Sequence, residues 1–369
     1  MSRPFIDFYS QIGFAPTGQQ QATAANHREN RSNLYRKLGL HTGVFNGARV
    51  LEIGPGSGEN AIDLLGRGIA SLKLVDAVPA VLDSLKNRII ADTPIAYEVY
   101  DATLPPQGSE LFDIVICEGV IPHQLEPSKF FQNISLHVAP GGVILITTAD
   151  AISALSEVLR RIIGYMMMSQ QNFTIEDLEQ FFSKDFESLD GMTRTSRDWV
   201  LDSVVNPWIG KLFSIEDACM ASKLDFRPIS MTPNLHLDKA WYKNVYNNKS
   251  EKMFWVESYR KRCHELIDYS VTTDSIASYE QNALLIDFCS QIFSEMQIMI
   301  SSNSLISSTR ILEIIARMFV ECHQLNISTE RALKSFVEFV ETGEKTALAD
   351  FQPFWGRGQQ YLCFERSQY

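Results

Sequence analysis

The sequence is short of positive charge. Its 369 residues carry 33 Lys and Arg against 44 Asp and Glu, a formal net charge of −11. Proteins that grip a nucleic-acid backbone use a basic surplus to displace counterions, and this chain has none. Cysteine pairs are missing as well. The six cysteines, Cys117, Cys219, Cys263, Cys289, Cys322 and Cys363, form no C-x-x-C and stand at no zinc-ligand spacing with histidine, so no metal site is expected. Most lie in apolar stretches, where a free thiol behaves as a small hydrophobe. They are expected to be reduced core residues of a cytoplasmic protein. The first residues, MSRPFIDFYSQIGF, lack the basic start and apolar run of a secretory leader. No uncharged apolar run reaches the roughly 18 residues a membrane helix needs, so no membrane partner is expected. There is no internal repeat and no low-complexity tract. Hydrophobic content of 45% and charged content of 21% fit an ordinary globular chain of one large domain or two smaller ones.

What the chain does have is the run VLEIGPGSGENA, residues 50–61. Val50, Leu51 and Ile53 read as a buried strand. Gly54, Gly56 and Gly58, with Pro55 and Ser57 between them, allow a sharp turn and a close backbone approach to a ligand. A helix follows, whose first backbone N–H groups favour oxygen acceptors. Dinucleotide turns have the spacing G-x-G-x-x-G and hold a pyrophosphate. Here the spacing is E-x-G-x-G-x-G, and the carboxylate of Glu52 would repel a pyrophosphate but suit a cation. S-adenosylmethionine (SAM) carries an ammonium and a sulfonium and no phosphate.

Strand and helix then alternate. Strands are predicted at 49–53, 71–77, 95–102, 112–119 and 140–150, with helices over 79–89 and 128–138 between them. Such alternation implies a parallel sheet with right-handed crossovers, whose ligands bind outside the carboxyl ends of the strands. Three acids stand at those ends. Asp76, followed by Ala77, can accept hydrogen bonds from ribose hydroxyls. Asp101 precedes Ala102, and Glu118 precedes Gly119.

Residues 34–150 thus resemble the class I SAM-dependent methyltransferases. The resemblance implies an α/β, Rossmann-like sheet of seven strands with helices on both faces. It implies SAM as cofactor and S-adenosylhomocysteine (SAH) as product. It places Glu52, the 54–58 turn, Asn60, Asp76 and Ala77 on the cofactor, Asp101 and Ala102 at the adenine, and Glu118 and Gly119 beside the methionyl half. His123, in the run EGVIPHQ, is the candidate base, because its near-neutral pKa suits proton transfer; a purely structural histidine fits the same run.

The remaining regions are read from pattern. Residues 1–45 read as an entry segment ahead of the sheet, either a lid over the cofactor, as the resemblance implies, or a helix packed on the sheet edge. A helix is predicted over 27–40, in which Leu34, Tyr35 and Leu38 face inward and Arg28, Arg31, Arg36 and Lys37 occupy the other sides. Residues 46–244 are the core, with a helix at 151–168, Thr174 and Ser214 as N-caps, and FRPISMTP as strand six. Residues 245–350 carry three amphipathic stripes, the last between Ser328 as N-cap and Gly343 as terminator. They are expected to be a helical insertion serving as a lid or a homodimer surface. Residues 351–369 would return strand seven to the sheet; the alternative is a separate helical domain with no returning strand. Substrate contacts are sought outside the common sheet, at Tyr9, Tyr35, Arg194, Trp199, Asn206, Trp241, Tyr242 and Arg357. Arg357 between two glycines suits an anion, although aromatic packing at a seam explains the tryptophans equally well.

The expected activity is methyl transfer from SAM to an O, N or C nucleophile of a small-molecule or glycan-type metabolite, with no nucleic-acid partner. Two alternatives stand beside it. An enzyme of this fold could cyclise SAM or transfer its aminocarboxypropyl group, releasing methylthioadenosine. A non-catalytic SAM-binding subunit could use the helical segment as an interaction surface.

Overall fold

A computed structural model describes residues 4–12, 17–18, 24–106, 108–169, 173–189, 191–221, 226–236, 251–271, 276–302 and 306–368. The chain divides into two compact units. One comprises residues 1–149, 208–258 and 359–369, and the other residues 150–207 and 259–358. The helical unit is therefore drawn from two stretches, where the sequence pattern had set 245–350 apart on its own.

The first unit contains a seven-stranded sheet. Its strands are β1 (Arg49–Ile53), β2 (Ser71–Asp76), β3 (Ile95–Val99), β4 (Phe112–Cys117), β5 (Val138–Thr148), β6 (Phe226–Thr232) and β7 (Gln360–Arg366). The order is β3-β2-β1-β4-β5-β7-β6. The pairs among β1 to β5 are parallel, while β7 runs antiparallel to both β5 and β6. This is the sheet that the resemblance implied, with the seventh strand inserted between the fifth and sixth. The separate-domain alternative, with no returning strand, is excluded by the β5–β7 pairing.

The central strands are buried on both faces, which is why they read as continuous apolar runs. Val50, Leu51, Ile114, Val115, Ile116, Ile144, Leu145 and Ile146 are all at most 1% exposed. Each such side chain contributes about 1.5–3 kcal/mol on leaving water. The strand order reverses direction at β1 and β4, and this opens a crevice at their carboxyl ends. The glycine turn, the end of β2 and the loop after β4 all meet there. Strand three stops at Val99, short of the predicted 102, because Asp101 turns the chain. Its Oδ1 accepts from the Thr103 N–H at 3.0 Å and from the Thr103 hydroxyl at 2.7 Å.

The helical unit is organised by helix Ala151–Met168, whose N-terminus carries a capping box between Asp150 and Ser153. Arg160, on this helix, is wholly buried. Its guanidinium pairs with Asp185 at 3.0 Å, donates to the carbonyls of Gln352 and Phe354 at 2.9 Å, and stacks 3.6 Å from the Trp355 ring centroid. A buried arginine needs this complete a set of partners to offset its lost hydration.

Among the described residues, helix Tyr279–Ser302 is long and apolar enough to cross a membrane by length and composition. It is interrupted by Asp287 and Glu295, and Leu285, Phe288, Ile292, Met296 and Met299 bury its apolar face. That face packs on helices Ala151–Met168 and Ile306–Glu321. Helix Ile327–Thr342 ends at Gly343 (φ 72°), as its pattern implied, but its N-cap is Asn326 and not Ser328. The Asn326 Oδ1 accepts from the Thr329 N–H at 2.8 Å, while the Ser328 hydroxyl donates to Asn326 and Asp268. Asparagine caps as well as serine does, and here it sits one position outside the first turn. All six cysteines are buried, and among the described residues none is joined in a disulfide.

Candidate active site

The glycine turn follows β1 directly. Gly54, Gly56 and Gly58 have φ of 71°, 55° and 84°, a region that side chains rarely enter. A Cβ on Gly58 would lie 2.5 Å from Leu85 Cδ2, so close helix packing also demands glycine there. Thr17 from the N-terminal segment rests on the turn. The Ser57 N–H donates to the Thr17 oxygen at 2.9 Å, and the Thr17 hydroxyl donates to Ser57 Oγ at 3.0 Å.

Glu52 lies within β1 rather than on the turn, and it is 2% exposed. Its Oε2 is buried with no hydrogen-bond partner among the described residues. Burial pushes its carboxyl up to about 8, with the Glu118 charge acting in the same direction and Arg31 against it. Glu118, just beyond β4, is held by Arg31. The two guanidinium NH₂ groups reach its carboxylate at 2.5 and 2.8 Å. Asn60 contributes a longer bond to Glu118 at 3.4 Å.

Arg31 is the residue of the candidate site that the sequence pattern missed. Its helix, Ala24–Lys37, was expected to turn its arginines outward. Arg31 is instead 5% exposed, lies 4.7 Å from the Tyr35 ring centroid, and donates to the Tyr35 hydroxyl at 2.7 Å. Its Nε–H is buried without a partner among the described residues. Burial pulls its pKa down, but Glu118 and Tyr35 outweigh that and hold it well above its ordinary value. No local signal could have revealed the pairing, because Glu118 is 87 residues away in sequence.

Asp76 closes β2. One oxygen accepts from the Val78 N–H at 2.8 Å, and burial raises its carboxyl to about 6 while the Val78 and Ala77 N–H groups oppose the rise. Ala102 is buried, and its carbonyl accepts from Asn133 at 3.3 Å. Gly119 (φ 70°) donates its N–H to Thr147 Oγ1 at 2.7 Å. His123 ends a short helical turn, Ile121–His123, in the loop after β4. Its ring lies 5.2 Å from that of Trp208 at an interplanar angle of 34°.

The proposed substrate contacts fare differently. Tyr9 is partly buried against the core of the first unit. Tyr35, 1% exposed, is a core residue beneath Arg31 and has no face open to a substrate. The other described candidates belong to the helical unit. Arg194 pairs with Asp202 at 2.6 Å. Trp199 is 3% exposed and packs on Phe182, Phe186 and Trp355, so it is core. Asn206 is buried, and its carbonyl accepts from Arg161. Arg357 spends its Nε–H on the Glu265 carbonyl at 3.1 Å. Trp241 and Tyr242 lie outside the described residues.

Residues 26–186 match the family model for a methyltransferase domain. The tRNA U34 carboxymethyltransferase of Psychrobacter arcticus is 25% identical over 124 residues, covering 31% of this chain and 35% of that protein. The ubiquinone biosynthesis O-methyltransferase of Rickettsia typhi is 28% identical over 122 residues, covering 32% of this chain and 47% of that protein. The chain thus spans between about a third and a half of the length of these curated relatives. Among solved structures, the N-methyltransferase NodS of Bradyrhizobium japonicum, crystallised with SAH, is 16% identical with a TM-score of 0.31, covering 40% of this chain and 74% of that one. Residues 26–186 thus carry a methyltransferase domain, and the glycine turn within it and the order of the sheet's strands fit the SAM-dependent class I form of that domain.

Proposed function

We propose that this protein transfers the sulfonium methyl group of SAM to an oxygen, nitrogen or carbon nucleophile of a small molecule. The observation that carries the reading is the pair of unmet polar atoms in the crevice. Glu52 Oε2 and Arg31 Nε are both buried and lack partners among the described residues. A zwitterionic amino-acid end offers an ammonium to the acid side and a carboxylate to the guanidinium, so the residues present fit SAM. Asp76, at the end of β2, supplies an acceptor for ribose hydroxyls.

SAM brings an already activated methyl group, so the protein's own task is alignment and exclusion of water. Burial of Glu52, Arg31 and Tyr35 serves that task, because these groups do not have to be reorganised when the ligand arrives. His123 is the residue we assign to accept a proton when the acceptor is a hydroxyl or an ammonium. Its place in the loop after β4 supports this.

The net charge of −11 favours a small acceptor over a nucleic acid. Six buried thiols without a disulfide support a reducing, cytoplasmic setting.

The test is the nucleoside product formed from SAM in the presence of a panel of phenol, amine and sugar acceptors. Adenosylhomocysteine supports methyl transfer. Methylthioadenosine would overturn it in favour of aminocarboxypropyl chemistry or SAM cyclisation.

A further inference from the structure

The stretch after residue 207 makes contacts that nothing in the cofactor site requires. The Trp208 Nε1–H donates to the Pro122 carbonyl at 2.9 Å. Its indole, 3% exposed, lies against the His123 imidazole at a separation within the range of favourable ring pairs. Two residues on, Gly210 presses on the same turn. A Cβ there would fall 2.5 Å from the His123 carbonyl carbon and 2.6 Å from its Cα. Only glycine lets the two backbones approach this closely. The Lys211 N–H donates to the Gln124 carbonyl at 2.9 Å. Gln124 in turn donates its side-chain amide to the Val120 carbonyl at 3.1 Å. Phe213 then pairs with Ala149, just beyond β5, through two bonds of 2.9 Å. The turn carrying His123 is thereby held at Pro122, at His123 itself and at Gln124, and its holder is anchored to the sheet.

We propose that residues 208–213 form a clasp that fixes the His123 imidazole beyond the end of β4, with Trp208 as its positioning residue. The proposal rests on the reading of His123 as the acceptor-side group. A three-residue helical turn on a loop has few contacts of its own, and a loosely held imidazole loses the alignment that proton transfer needs. An indole is well suited to the role because its N–H fixes the backbone while its ring backs the imidazole.

The test uses the full chain and the rate at which diethylpyrocarbonate labels each histidine, read by peptide mass spectrometry. Exposed His41 and His323 serve as internal standards. Trp208→Phe keeps a ring and removes the N–H. Losing one neutral hydrogen bond should open the turn about fivefold more often and label His123 about fivefold faster. The standards should not change, and SAH affinity should stay within about threefold of wild type. A folded Trp208→Phe protein whose His123 is labelled at the wild-type rate overturns the clasp. If that variant does not fold, hydrogen exchange of the Trp208 indole N–H in the wild type decides. Protection relative to an exposed indole is expected, and free exchange overturns the proposal. Addition of SAH separates this from the cofactor reading. If SAH leaves the His123 rate unchanged while Trp208→Phe raises it, the clasp stands and the acceptor-side role of His123 falls.

Discussion

Replacing Glu52 by Gln should abolish a proton release that accompanies cofactor binding. In the free site the Glu52 carboxyl is held at about 8, first by burial and then by the neighbouring charge of Glu118. At pH 7 such a group is about nine-tenths protonated. An ammonium brought against it favours the carboxylate, so the proton leaves as the ligand arrives. Calorimetric titration of SAH in phosphate and in Tris, which differ in ionisation enthalpy, measures the number released. The wild type should release roughly 0.5–0.9 proton at pH 7, and Glu52→Gln close to none. Wild-type affinity should also weaken on acidification, by about fiftyfold between pH 8 and pH 6 if the bound carboxyl titrates below that window. An equal release from Glu52→Gln would refute the assignment of the proton. No release from a wild type that binds SAH would refute the placing of the ammonium beside Glu52.

The same group shapes stability. Its folded pKa lies above the ordinary value of 4.5, so its contribution is fully present below pH 4.5 and is lost as pH rises through about 8. Glu52→Gln should therefore raise the Tm at pH 9 and change it little at pH 4.5, as thermal melts at the two pH values will read. Arg31→Met removes the partner of a pair whose side chains are 6% and 12% exposed. It should cost about 2 kcal/mol in urea unfolding, since it strands a carboxylate that is only partly open to solvent. Asn326→Ala should cost about 1 kcal/mol, and Ser328→Ala clearly less, because only Asn326 caps the helix.

The fold was legible because its signals are local. The β1 residues 49–53 stand where the apolar run and the glycine turn put them, and helix Ala151–Met168 follows its apolar face. The acidic glycine motif marked the candidate site for the same reason. Long-range pairings had no such signal. Helical periodicity counts Arg31 as one of several outward cations, yet a carboxylate just beyond the end of β4 draws it inside. Trp199 and Arg357 were suggestive as residue types, but their neighbours Trp355 and Glu265 are distant in sequence. The choice between Asn326 and Ser328 turned on a shift of two residues, a finer distinction than capping preference can make. The assignment of residues 150–207 to the helical unit depends on packing that no linear pattern displays.

The central claim is that the crevice at β1, β2 and β4 holds SAM. Calorimetric titration of SAH into the wild type and into Asp76→Ala tests it most directly. Charge-assisted hydrogen bonds to Asp76 are worth about 1.5–3 kcal/mol each, so the variant should bind at least roughly tenfold more weakly. Saturable wild-type binding with that loss is the expected result. Wild-type binding that Asp76→Ala leaves unchanged, or no wild-type binding at all, would contradict it.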